Sequence, residues 1–441
     1  MSRTRVTPEQ SQESATPDQA SAGTGLGSPL LGLQGLMGNA AMAGMMGLGV
    51  MGPMGGLLGA GAALAAGALT PKKEYVDMGA SEKTNSLVGL MNGSRDVLKA
   101  NGVSEHMESK MAAIMQNEGS RNLRRQALGK SFSGSATELS GKLKGVDLEK
   151  MKADPAALQK FSSGLTEDQR FLFEQVQSGS LNLADMNSKD QGTKDRVREQ
   201  LTELGIQKRT SQYEEMTGLM NKKSSGALSK EETARLTKLQ GMTGLGMGKT
   251  TMGSLSGLSS GRFAEIYREG QERFEPAQYI EFKKDYEAGL KNRKDPDKPI
   301  AITAGIGNFS VDKGMEGQLA NNYDLFADMC TSYGISQVMG AYAQAGLLKS
   351  KGADGQDHTV SLDEMKASGQ RLTPTTEDVQ QQLAFFNMKG INPSSTNMSD
   401  DAITRKYNGS KPGSDLYTQY MNGLATGTPA YKNAKAKQGK A

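Results

Sequence analysis

From Gln19 to Pro71 the chain carries no charged side chain, and Gly, Ala, Met and Leu dominate the stretch. Glycine at that density disfavours a stable helix through its backbone entropy, and Pro53 near the centre removes a helix hydrogen bond. Length and lack of charge still meet the crude criterion for a membrane span. Small residues also recur at helix-packing spacing, as with Gly55 and Gly59. We read the segment as an apolar leader packed against a partner, with membrane insertion through residues 23–70 as the alternative. Residues 1–22 are rich in Ser, Thr, Pro and Gln, a disordered composition without the short basic start and leucine-rich core of an export signal. Such a protein is expected to stay cytoplasmic until something other than a classical signal carries it out.

The 441 residues suffice for two or three domains, and 36% hydrophobic content with 55 glycines argues against one compact body throughout. The expected division is a leader over 1–72, a helical middle domain over 73–250, a C-terminal domain over 251–425 and a basic tail over 426–441. Lys432, Lys435, Lys437 and Lys440 make that tail a solvated, disordered end, or else a contact for an anionic wall polymer. A formal charge of +4 is too small to suggest a nucleic-acid partner. Cys330 is the single cysteine, which excludes an intramolecular disulfide, and its apolar neighbourhood suggests a buried thiol. With only His106 and His358, a centre of three histidines is impossible and a serine–histidine–aspartate triad finds no setting. No metal or organic cofactor is implied.

Residues 73–250 place apolar side chains at helical spacing in Leu87-Leu90-Met91, Met107-Met111-Ile114-Met115 and Leu172-Phe173-Val176. Asp154-Pro155 and Thr166-Glu167-Asp168 are helix-start signals. The run from Thr243 to Thr251 imitates a phosphate-binding loop, but Thr243 stands where that pattern needs glycine and a charged helical segment precedes it. We read it as a flexible linker. Asp354 to Glu364 imitates a calcium loop, yet Ala353 and His358 occupy its first-ligand and turn positions, so a solvated loop entering a helix is expected.

Two short segments carry the functional reading. Ser332-Tyr333-Gly334-Ile335-Ser336-Gln337-Val338-Met339-Gly340 sets an amide and two glycines around a short apolar run, and Lys406-Tyr407-Asn408-Gly409 follows about seventy residues later. Together they resemble the two cleft-lining motifs of the N-acetylmuramidase family, lysozyme-like enzymes that cut bacterial cell-wall glycan. The resemblance covers about residues 260–424. It implies a mainly α, lysozyme-like C-terminal domain, with Tyr333 flanking a sugar, Gln337 orienting water or an N-acetyl group, and Tyr407 and Asn408 closing the opposite wall. In the leader, Leu33-Gln34-Gly35-Leu36-Met37-Gly38-Asn39-Ala40-Ala41 resembles a signature near the start of proteins associated with extracellular contractile injection systems. That implies a cargo loaded into the inner tube of such a particle.

Glycosidic cleavage needs a carboxylic acid beside the leaving oxygen. Phe263, Ile266, Tyr267, Gly270 and Phe274 fall on one helical stripe, which predicts a cleft-facing helix. Glu269, bordering that stripe, is the first candidate acid, with Glu272 and Glu281 in reserve; an ordinary surface pair of Glu269 with Arg273 is the alternative. Anchored on Phe274, the family's glutamate falls on Arg268, and sliding by one residue brings Glu269 into place. The rival functions are a non-catalytic glycan-binding or structural cargo protein with a degenerate lysozyme fold, and a membrane-inserting toxin.

Overall fold

The computed structural model describes residues 75, 78–118, 123–267, 272–303, 309–371 and 373–439. The apolar leader and its Leu33–Ala41 motif lie outside the described residues. The chain is mainly helical, as expected, with 18 α-helices and seven short strands among the described residues. No described helix is long and apolar enough to cross a membrane.

Helices α1 (Ala80–Gly93), α2 (Arg95–Ala100) and α3 (Glu105–Glu118) open the described chain. The methionine face read from the sequence is the buried face of α3, where Met107, Met111, Ile114 and Met115 are all fully buried. A second helical group follows: α4 (Leu123–Leu143), α5 (Leu148–Lys152), α6 (Pro155–Ser163), α7 (Glu167–Gln177), α8 (Gln191–Ser225) and α9 (Lys230–Gln240). Both helix-start signals are used. The Asp154 carboxylate accepts from the backbone N–H groups of Ala156 and Ala157 ahead of Pro155, and Thr166 forms a reciprocal capping box with Gln169.

The remainder mixes short elements: α10 (Ser260–Glu265), β1 (Glu272–Phe274), α11 (Pro276–Asn292), β2 (Ile300–Ile302), β3 (Phe309–Val311), α12 (Lys313–Leu319), α13 (Asp324–Met329), β4 (Thr331–Tyr333) and β5 (Val338–Met339). Then come α14 (Gly340–Gln344), β6 (Lys349–Lys351), β7 (Asp357–Thr359), α15 (Leu362–Gly369), α16 (Thr376–Met388), α17 (Asp400–Asn408) and α18 (Asp415–Gln438). The strands form one three-stranded antiparallel sheet in the order β1-β4-β5 and two hairpins, β2-β3 and β6-β7.

Three expectations change here. The tail is not a solvated end: residues 426–438 are the last turns of α18, with Tyr431 buried. Glu108 of α3, itself buried, accepts hydrogen bonds from Tyr431 Oη at 2.5 Å and Lys435 Nζ at 2.8 Å, while Arg95 pairs with its other oxygen at 2.7 Å. Burial alone would push this carboxyl up, but those three donors outweigh it and hold it below the usual range. The same contacts join α1–α3 to the C-terminal helix, so the first part of the expected middle domain packs with the end of the chain. The linker reading of 243–251 fails as well, because Leu245 and Met247 are buried. Gly244, Gly246 and Gly248 adopt positive φ around them, and Gly246 lies so close to α4 that a Cβ there would stand 2.9 Å from the Arg124 Cα. The calcium-like segment, by contrast, is as expected a largely exposed stretch entering a helix: it forms the β6-β7 hairpin and leads into α15, whose start Ser361 and Glu364 cap.

Lys389, just past α16, is buried with its ammonium over the rings of Phe385 and Tyr342 at 5.2 and 5.8 Å. Burial pulls its pKa down to about 8. The folded state thus disfavours the charged form, so stability rises as pH climbs from about 8 towards the unfolded lysine value near 10.4. At pH 7 that gain is absent, and Lys389→Met is expected to raise unfolding stability by about 2 kcal/mol after allowing for the lost ring contacts. Urea titrations at pH 7 and pH 10 check this: the advantage should shrink at the higher pH.

Candidate active site

The expected continuous helix through 263–274 ends at Glu265, and Phe274 belongs to a strand. The cause is pairing: Glu272, Arg273 and Phe274 sit opposite Tyr333, Ser332 and Thr331 across an antiparallel ladder. Tyr279-Ile280-Glu281-Phe282 lies in α11, where Tyr279, Phe282 and Tyr286 make its buried face. The first signature is thereby the β4-β5 hairpin, with its turn at 334–337.

That turn is held from several sides. Gly334 has φ +67°, and a Cβ there would stand 2.6 Å from Asp378 Oδ1. Gln337 has φ +49°, the one positive value among described non-glycine residues. Its Nε2 donates to the Gly334 carbonyl at 2.7 Å, so the amide closes its own turn. From α16, Asp378 Oδ1 accepts the Ile335 N–H at 3.2 Å and Gln381 Nε2 donates to the Tyr333 carbonyl at 2.8 Å. At Gly340 an added Cβ would strike the Asp328 carbonyl oxygen. Packing therefore accounts for both glycines of the signature.

Beneath the sheet lies a cluster of charge. Arg262 of α10 is 4% exposed, and its guanidinium meets Glu265 at 2.8 Å, Asp328 at 2.9 Å and Glu272 at 3.7 Å, with Nη2 donating to Thr331 Oγ1 at 2.9 Å. Lys366 of α15 binds the other oxygen of Asp328 at 2.7 Å. Burial would lower the Arg262 pKa, but Asp328, Tyr333, Glu272 and Glu265 together outweigh it and raise it well above the usual value. Three carboxylates thus face two cations. Glu272 is the member farthest from the guanidinium, and α15 covers it so closely that a Cβ on Gly369 would stand 2.6 Å from its Cγ.

Of the acids named from the sequence, Glu272 joins this cluster, Glu281 is exposed on α11, and Glu269 lies outside the described residues. Tyr333, Gln337, Tyr407 and Asn408 come together but are 0–2% exposed, so they form an inner wall rather than the sides of an open groove. The reason is their packing: Tyr407 is edge-on to Phe385 at 5.0 Å and its hydroxyl donates to the Ser336 carbonyl at 3.0 Å. Tyr333 Oη lies 3.5 Å from Asp328, and Asn408 Oδ1 accepts the Ser410 N–H at 2.8 Å. Cys330 is fully buried, and burial raises its thiol pKa well above the ordinary value, in keeping with the inert thiol expected.

Sequence reasoning missed Arg262, Glu265 and Asp328. It also missed Glu275, a buried residue at the start of α11 whose carboxyl is pushed up by burial against the opposing pull of Arg273 and Arg124. One local signal was available, since Glu265 lies three residues after Arg262, the spacing of a helical ion pair. Among the described residues no group of three or more His, Cys, Asp or Glu side chains is placed to hold a metal ion. Comparisons with protein-family models, curated proteins and solved structures found no match.

Proposed function

We propose that this chain is a peptidoglycan hydrolase of the N-acetylmuramidase type, carried as cargo of a contractile injection system. One observation supports the reading most: the two signatures touch through Tyr407 and Ser336, and Glu272 pairs in register with Tyr333 of the first. Glu272 is assigned as the acid, being the carboxylate least closely bound by Arg262. Glu265, bound to the same guanidinium nitrogen, lies beside it as the reserve carboxylate. α15 would have to move for a glycan strand to reach Glu272. The test is clearing of purified peptidoglycan in a gel by the wild type, with none by Glu272→Gln. Clearing by Glu272→Gln but not by Glu269→Gln or Glu265→Gln would transfer the role of the acid.

A second reading has an observation of its own. All four wall residues are buried, and both signature glycines have packing reasons. A non-catalytic, glycan-binding or structural cargo protein on a degenerate lysozyme fold needs nothing more. Peptidoglycan that co-sediments with the wild type and never clears would select it.

A further inference from the structure

Away from the charge cluster, a groove of about 450 Å3 opens between α1, α3 and α18. Its volume falls within the roughly 300–1,000 Å3 of small-ligand sites. The trench exists because α18 approaches α3 through Gly423 and Gly427, where a Cβ would collide with Asn117 and Ala113, while α1 stands to one side. Its floor is Ala80, Gly427, Ala430 and Ala434, flat enough for a thin ligand.

The rim chemistry is neutral. Four primary amides line it, from Asn85, Gln116, Asn117 and Asn433, each carrying both donors and an acceptor, with Gln116 giving one N–H to the Ala80 carbonyl at 3.4 Å. Thr84 and Thr426 commit their hydroxyl protons to the carbonyls of Ala80 and Asn422, at 2.8 Å each, and so offer acceptor lone pairs. Among the described residues no carboxylate and no aromatic ring lines the groove, and Lys437 is the one charged side chain there. An anionic polymer would meet too few cations here, and an apolar helix would meet a polar rim. Hydroxyl and acetamido groups on a flat, uncharged ring match what is offered.

We infer that this groove is a second, non-catalytic glycan site, holding a neutral N-acetylated sugar strand by its amide and hydroxyl edges. The choice of sugar rests on the hydrolase reading; the neutral polar character of the ligand does not. The probe is triacetylchitotriose, titrated into the full chain by calorimetry, with maltotriose, which lacks acetamido groups, as the comparison. Saturable binding of the first sugar is expected, and much weaker binding of the second. Ala430→Arg, which lays a long side chain across the floor from an exposed helix position, should weaken binding at least about ten-fold, as expected for a central contact. Asn433→Ala should do the same without adding bulk, and Glu272→Gln should leave binding intact. No binding by the wild type, equal binding of both sugars, or binding that Ala430→Arg and Asn433→Ala leave unchanged overturns the proposal. Trisaccharide binding lost in both groove variants, with no wall hydrolysis by any form, would remove the hydrolase and keep the groove. Wall hydrolysis by the wild type with trisaccharide binding untouched by the variants would do the reverse.

Discussion

Glu272→Gln is expected to lower peptidoglycan hydrolysis by about 10³-fold while leaving the protein as stable as the wild type or slightly more so. The activity estimate follows from removing a general acid, which typically costs ~10²–10⁴-fold. The stability expectation follows from the pairing distances, because Arg262 meets Glu272 at 3.7 Å but Glu265 and Asp328 at 2.8 and 2.9 Å. An amide of the same shape gives up only that long pairing and fills the same space. Dye release from labelled cell wall measures the first quantity, and thermal unfolding the second. A variant that loses activity and also unfolds easily would indicate a structural rather than a chemical role for Glu272. One that keeps full activity removes it as the acid.

Arg262→Met should be the most damaging substitution for stability, costing about 3–5 kcal/mol at pH 7. Methionine fills much of the volume, but Glu265, Glu272 and Asp328 all lose the guanidinium they meet, and stranding buried charges carries a penalty of that order. Denaturant titrations at pH 7 decide the matter, with Arg262→Lys, which keeps the charge, set beside Arg262→Met and expected to lose clearly less. Equal losses in the two would mean that Arg262 contributes packing and not charge balance.

The two signatures were legible as paired elements because each combines a turn-forming glycine with apolar flanks, and they do meet, through the Tyr407 hydroxyl. What could not be read was their burial. An aromatic ring beside a glycine looks the same in a sequence whether it faces a sugar or Phe385, and only the arrival of α16 decides between the two. The candidate acid suffered a related ambiguity. Residues 263–274 have helical periodicity, yet the chain leaves the helix after Glu265, and Glu272–Phe274 pair with a strand some sixty residues away. Local spacing carries no information about such a partner.

By itself the sequence determined the helical class, the methionine-faced α3, and the helix starts at Asp154 and Thr166, since helical period and capping chemistry act within a few residues. Tertiary structure alone decided that the basic tail would close on Glu108, that glycines 244–248 would bury Leu245 and Met247, and that three acids from α10, β1 and α13 would gather on Arg262. Each of those joins groups far apart in the chain, and their energies depend on burial that exists only once the helices have packed.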